Sequence, residues 1–388
     1  MSAALDAALA RVDEVGALAA KLADESERQG HLHDEVVDAF HEAGLWRILV
    51  PSDLGGSGLT IPESVQVYRA MSAFDGSAGW LAGIIGNGPL FGNFVDRAVF
   101  EEVYGPARSV VAGSLNPLGG RADPVPGGFR FNGRATNVSG CHEASWIMAG
   151  AWIHRDGAKS WVDGRPEMVA GIIPIASVTI EDTWSTTGMR ATGSDDCTYV
   201  DVLVPDERTF AWPEPAPRWD AGPASHMPMH AQLGTGVAAT VVGIACGTLD
   251  RFVELALAKR PAANTTVLAE RSFAHMALGE AAGLVRVAED ALRGGTADLW
   301  ARAERLEAID ETVRLDLRLR MVTAARLAVR ATDLLHDAAG MSGVRVPSPL
   351  ERAWRDAHTA VQHVLLSTGR LEVAGRVLLG RDPESPVI

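Results

Sequence analysis

The chain has 388 residues, 47% hydrophobic and 22% charged, enough for two or three packed units of an ordinary soluble type. A formal net charge of −14 gives it an acidic field that repels phosphate backbones and anionic lipid, which disfavours nucleic-acid and membrane partners. Cys141, Cys197 and Cys246 lie far apart, with no spacing suited to a disulfide framework or a metal site, as expected in a reducing cytoplasm. The first residues carry Asp6, Asp13 and Glu14 and lack the basic region of a signal peptide, and apolar stretches such as Leu81–Ile85 break well short of a membrane span.

Apolar positions in Ala4–Ala23 recur every three or four residues, and Asp34–Gly44 repeats the pattern with a glycine stop, so both read as helices. VPSDLGGSGLT then interrupts, because Pro51 and the Gly55–Gly56 pair forbid helix continuation. Helix signals resume from Pro62 to about Tyr104. From about Ser109 to Phe210 the period is that of strands. Gly127–Gly128 leads into Phe129-Arg130-Phe131 and then Asn132-Gly133, the dipeptide most favoured in tight hairpin turns. Trp146–Trp152, Met168–Ile180 and Thr198–Val204 are rich in β-branched and aromatic residues between turn formers. Repeated prolines make Ala211–Pro223 a linker. From about Met229 to Gly380 the pattern is helical again. The last long helix begins on a capping box, with Ser348 as N-cap, Pro349 at N1 and Glu351 at N3, and Gly369 is its stop.

Three motifs, GLWRILVPSDLGGSGLT (Gly44–Thr60), WSTTGMRATGSDDCTYVDVLVP (Trp184–Pro205) and RDAHTAVQH (Arg355–His363), stand in that order. They resemble the N-terminal signature, the flavin-contacting strand and loop, and the helix that closes the active site in the acyl-CoA dehydrogenase superfamily. The resemblance spans nearly the whole chain. It implies an α+β fold with an N-terminal helical domain (1–108), a central β-barrel-like domain (109–215) and a C-terminal four-helix bundle (216–388), assembled as a homotetrameric dimer of dimers. In the loop, Thr186, Thr187, Thr192 and Ser194 offer hydroxyls, while Gly188 and Gly193 let backbone N–H groups approach a ring edge, which suits the hydrogen-bonding end of a flavin. The plainer reading is a polar turn between strands. With the resemblance, Trp184, Thr187, Gly188, Arg190, Thr192 and Ser194 become candidate cofactor-binding residues.

The dehydrogenases of that superfamily need a carboxylate base. Placing Arg355-Asp356-Ala357 on the family's RDA motif puts Val364 where the glutamate stands, with Glu270 and Glu280 as acids that another helix could supply. NVSGCHEASW (Asn137–Trp146), His363 and SAGWLAGIIGNGP (Ser77–Pro89) resemble instead the oxygenase components of two-component flavin monooxygenases. That branch implies reduced flavin (FADH2 or FMNH2) delivered by a separate NAD(P)H flavin reductase. The flavin reacts with O2 through a C4a-hydroperoxyflavin to hydroxylate a small organic substrate, aromatic or polycyclic. Under this resemblance Ser139 stands beside flavin N5, and backbone N–H groups near Asn116–Gly120 stabilise the peroxide oxygen. His363 deprotonates or orients a phenol-like substrate, with Trp80, Asn87, Gly88 and Ser367 around it.

On a continuous helix Asp356 lies roughly 10 Å from His363, so Ser367, four residues on, is the better placed neighbour. Phenol-hydroxylating members carry a histidine where this chain has Gly88, and the glycine is expected to widen the pocket. Cys141 and His142, on opposite faces of a strand, are expected to be structural. Lys259, Arg260 and Gly340 fall where the family holds the flavin phosphates, or form a solvated basic helix end. Two alternatives stay open: an acyl-CoA dehydrogenase-type FAD oxidoreductase with its base elsewhere, and a non-catalytic scaffold paralogue.

Overall fold

The computed structural model describes residues 2–213, 215–262 and 265–385. Six helices come first: α1 (Ala3–Lys21), α2 (Ala23–Gln29), α3 (Asp34–Glu42), α4 (Ile61–Phe74), α5 (Gly76–Gly86) and α6 (Arg97–Tyr104). The strands follow: β1 (Val111–Ser114), β2 (Gly120–Val125), β3 (Gly128–Ala135), β4 (Trp146–Arg155), β5 (Ala158–Lys159), β6 (Trp161–Val162), β7 (Arg165–Pro166), β8 (Met168–Pro174), β9 (Thr179–Glu181), β10 (Asp196–Pro205) and β11 (Thr209–Trp212). Helices α7 (Met229–Ala258), α8 (Ser272–Glu304), α9 (Glu311–Ala339), α10 (Met341–Val344), α11 (Pro349–Ala360) and α12 (Gly369–Leu378) complete the chain. The main sheet runs β11-β8-β4-β2-β3-β10-β9, with β1 and β5 added on β4. This is the central sheet of the expected fold, its hydrogen-bonded path ending at β11 and β9.

Two cores result. The sheet buries its own cluster around Phe131, Ile147, Ile173 and Tyr199. A larger cluster joins the N-terminal helices to α7, α8, α9 and α11, through side chains such as Trp46, Tyr68, Leu81, Val241 and Leu335. Helix α5 is buried along almost its whole length. A helix that is apolar all round must lie between other elements, and this one separates the sheet from α7. Among the described residues no helix is long and apolar enough to cross a membrane.

Four local expectations are corrected. The β2–β3 hairpin turns at residues 126–127, whereas Asn132-Gly133 lies inside β3. There β10 bulges between Tyr199 and Val202, and Asn132 Oδ1 accepts the Asp201 N–H at 2.8 Å, so the turn-forming pair serves a bulge. The proline-rich linker, of which residue 214 lies outside the described residues, is pinned down. Arg218 donates to Asp96 and to the carbonyls of Asp206, Glu207 and Thr209, and Trp219 packs on Phe100. Ser348 is the N-cap of α11 but makes no capping bond; its hydroxyl donates to Ser342 O, and Glu351 binds Arg355 at 2.5 Å. The capping box is at Thr60–Glu63, where each side chain accepts the other's N–H. Finally, α11 ends at Ala360, not near Gly369, and the chain turns sharply through His363.

Candidate active site

Ser139 lies in a tight turn, not at a strand end, with Gly140 in the left-handed region (φ 75°) where a Cβ would press on Ile85 of α5. The turn places Ser139 Oγ against two elements. Trp80 Nε1 of α5 donates to it at 3.0 Å, and Ser194 Oγ is 2.8 Å away. Ser194 Oγ is in turn 2.6 Å from Thr192 Oγ1, which donates to Met189 O at 2.9 Å. The direction of the whole chain follows from proton counting. An indole N–H only donates and each hydroxyl has one proton. Thr192 spends its proton on the carbonyl, so Ser194 donates to Thr192 and Ser139 donates to Ser194. Ser139 therefore keeps one free lone pair and no free proton.

The flavin-loop motif, Trp184–Ser194, is clamped from beneath. Gly188 presses on α11 so closely that a Cβ would overlap Arg355 O and come within 2.7 Å of Asp356 N. Met189, at φ 55°, donates its N–H to Asp356 Oδ1 at 2.6 Å, and Arg355 Nη1 donates to Thr187 O at 2.7 Å. Arg355 is held by Glu27 and Glu351. Thr186 Oγ1 turns back to Gly188 O, and Trp184 Nε1 donates to Met189 O. The hydroxyls of Thr186, Thr192 and Ser194 thus build the loop and the Ser139 chain, while Thr187 and Arg190 are exposed. At the loop's other end Asp195 accepts the N–H groups of Thr183 and Trp184 and the His142 ring, which stacks on His31. Burial would raise the Asp195 carboxyl, but these donors win and hold it low. Cys141 Sγ donates to Gly193 O. Cys141 and His142 brace the loop, from a turn instead of a strand.

Asp356 was legible only as a motif residue. It is 1% exposed, and its Oδ2 lacks a partner among the described residues. Burial, then the nearby Asp75 carboxylate and Glu27, lift its pKa to about 7 against the Met189 N–H and Arg355. Asp75 caps α5 by accepting the Ala78 N–H. A carboxyl raised in the folded state stabilises it fully at low pH and loses that contribution as pH rises through about 7. The melting temperature of the wild type is therefore expected to fall relative to Asp356→Asn as pH rises from about 4 to about 7, and to change little above that. A pH-independent difference would contradict it.

His363 sits in the turn after α11, edge-on to Trp80 with ring centroids 5.5 Å apart. Its Nδ1 accepts the Leu365 N–H at 3.3 Å, so the neutral ring carries its proton on Nε2. Burial, then Arg370 and Arg318, lower its pKa to about 4. Ser367 does not orient it, since Ser367 Oγ donates to Val364 O. Asn87 Oδ1 accepts from Tyr68 Oη at 3.1 Å, and the space beside Gly88 is taken by Tyr104 Oη, 2.8 Å from where a Cβ would be. Gly88 thus accommodates Tyr104 and does not widen a pocket.

The remaining candidates are elsewhere. Asn116 is exposed and accepts the Leu118 N–H. Lys259 meets Gly340, but by donating to Ala339 O at the end of α9, and Arg260 donates to Thr265 O. No hydrogen bond or ion pair among the described residues joins that corner to the Ser139 chain. Val364 is 58% exposed, Glu270 is exposed, and Glu280 faces Arg330. None of the three supplies the carboxylate base of a dehydrogenase.

Comparison with known proteins agrees with this arrangement. The acyl-CoA dehydrogenase N-terminal domain family matches residues 10–93, and the C-terminal domain family matches residues 235–368. A pigment production hydroxylase of Rhodococcus erythropolis is 30% identical over 372 residues, 94% of either chain. The oxygenase subunit HsaA of a flavin-dependent monooxygenase from Rhodococcus jostii is 30% identical over 93% of this chain and 91% of that one. The solved structure of XiaF from a Streptomyces species, in complex with FADH2 and glycerol, superposes with a TM-score of 0.91 at 26% identity, over 99% of this chain and 98% of that one. With a valine in place of the dehydrogenase base and Ser139 set between Trp80 and the flavin-loop motif, the chain belongs to the acyl-CoA dehydrogenase superfamily, among the oxygenase subunits of flavin-dependent monooxygenases.

Proposed function

We propose that this chain binds reduced flavin at Ser139 and uses it with O2 to hydroxylate a small aromatic molecule held against Trp80 and His363. The observation that carries the reading is the polarised chain from Trp80 through Ser139, Ser194 and Thr192 to Met189 O. Its one open position at Ser139 is an acceptor. Reduced flavin has a proton on N5, and oxidised flavin has a bare nitrogen there, so the site fits the reduced form and opposes the oxidised one. When bound, reduced flavin supplies the two electrons that activate O2.

The protein's part is positional. Ser139 Oγ holds the N5 proton, and Trp80 fixes the hydroxyl while presenting its ring to His363. His363 Nε2–H donates to a substrate oxygen; with a pKa of about 4 it is a weak base but a steady donor at neutral pH. As an oxygenase subunit the chain receives its reduced flavin from a separate NAD(P)H flavin reductase.

Ser139→Ala tests the polarity directly. It leaves the Trp80 N–H buried without an acceptor and removes the acceptor for N5. Anaerobic titration is expected to show reduced flavin bound about 10-fold more weakly, in line with about 1.4 kcal/mol for one hydrogen bond, with oxidised flavin little changed. Equal weakening of both redox states would refute the assignment.

A further inference from the structure

The hydroxyl chain at Ser139 has two ends that differ in kind and a middle that does not. At one end Trp80 Nε1 is a donor only, and at the other Met189 O is an acceptor only. The two serines between them can each donate in either direction. Thr192 is the group that reads the carbonyl and passes its direction on to them.

Three features hold Thr192 in that role. Its Oγ1 is 2.9 Å from Met189 O, a separation at which two oxygens repel unless a proton lies between them, so the threonine proton stays on that line. The carbonyl itself is fixed, because Met189 N–H is bound to Asp356 Oδ1 and Trp184 Nε1 donates to Met189 O at 2.8 Å. Thr192 O accepts the Gly140 N–H at 3.0 Å, which ties the threonine to the Ser139 turn through the main chain. Thr192 is 1% exposed and Ser194 2%, so water does not replace a lost partner of either.

Removing the Thr192 hydroxyl reverses the chain by proton count. Ser194 Oγ would then keep Ser139 as its one side-chain partner among the described residues. A buried Ser194 proton must turn to Ser139 or stay idle, and an idle buried donor is unfavourable. Once it turns, Ser139 accepts from both Trp80 and Ser194, and its own proton is freed. The open position at Ser139 changes from an acceptor to a donor.

We propose that Thr192 is the positioning residue that sets which redox state of flavin this site accepts. Its hydroxyl is buried between Met189 O and Ser194, so it acts through the two serines. The wild-type direction leaves Ser139 a lone pair for the N5 proton of reduced flavin. Against the bare N5 nitrogen of oxidised flavin the same lone pair is a mismatch, which is discrimination by an unpaired contact with the wrong form. This rests on the flavin site proposed above and adds how its preference is set.

The test uses the full chain, titrated anaerobically with FMN and with photoreduced FMN, together with the midpoint potential of bound FMN measured against a reference dye. The wild type is expected to bind reduced FMN more tightly than FMN. In Thr192→Val, close in shape but without the hydroxyl, reduced FMN should bind more weakly and FMN more tightly, each by about 10-fold, the scale of one hydrogen bond. The potential of bound FMN then falls by about 60 mV, at roughly 30 mV per tenfold for a two-electron couple. Thr192→Ser restores the hydroxyl and should return both affinities to within about twofold of the wild type. Ser194→Ala cuts the link between Thr192 and Ser139 and should shift the ratio in the same direction, so it carries the comparison if Thr192→Val does not fold.

Equal weakening of both redox states in Thr192→Val assigns the threonine a structural role only and overturns the proposal. So does an unchanged ratio in Thr192→Val or Ser194→Ala, or a shifted ratio that Thr192→Ser fails to restore. Each of these, with the wild type still preferring reduced FMN, leaves the monooxygenase reading standing. A wild type that binds neither form, or prefers FMN, refutes the polarity at Ser139 and overturns that reading together with this proposal.

Discussion

Gly188→Ala is expected to abolish capture of reduced flavin and to destabilise the fold by about 3 kcal/mol or more, the range for overpacking that cannot relax. The new Cβ would overlap the Arg355 carbonyl oxygen and crowd Asp356 N at 2.7 Å. Both are backbone atoms inside α11, so neither can swing aside as a side-chain tip would. The loop must lift instead. Lifting it breaks the Met189 N–H bond to Asp356 and the Arg355 bond to Thr187 O. Met189 O terminates the chain that orders Thr192, Ser194 and Ser139, so the acceptor at Ser139 loses its orientation with them. Thermal melting and anaerobic flavin titration read the two effects separately. A variant with wild-type melting temperature and flavin affinity would show that the loop does not depend on this contact.

Gly188 also illustrates how far the residues alone could be read. Its motif was recognisable, and so were the helix–strand–helix order and the breaks at Pro51 and Gly55–Gly56. The reason for the glycine was not, because the atoms it must clear lie 167 positions on, at Arg355. Ser139 was singled out, yet its two partners, Trp80 and Ser194, are 59 and 55 residues away. Only the fold reveals that their bonds share one direction. Local signals misled where tertiary pairing overrode them. Asn132-Gly133 is drawn into β3 because β10 bulges opposite it. No glycine or proline marks the end of α11, so His363 read as helical and Ser367 as its neighbour. In the structure bonds from His363 N–H to Ala360 O and from Leu366 N–H to His363 O tighten the chain into a turn.

His363→Ala is expected to separate substrate oxidation from flavin use. Losing a hydrogen bond to a charged or strongly polarised oxygen costs about 1.5–3 kcal/mol, so product formed per reduced flavin should fall by roughly 10- to 100-fold. Flavin capture rests on the Ser139 chain, which His363 does not join. Oxygen uptake should therefore continue, with the missing product recovered as hydrogen peroxide. The same geometry fixes the pH dependence. His363 is desolvated and faces the cations Arg370 and Arg318, which hold its pKa near 4, and Leu365 N–H occupies Nδ1. The ring is thus neutral with its proton on Nε2 throughout the neutral range, and product yield should be flat with respect to His363 from about pH 6 to pH 9. Arg318→Met removes one of the two lowering cations, so the His363 pKa rises and any acid limb moves to higher pH, not lower. An acid limb already near pH 7 in the wild type would mark His363 as a general base with a normal imidazole pKa. Unchanged coupling in His363→Ala would remove it from the site altogether.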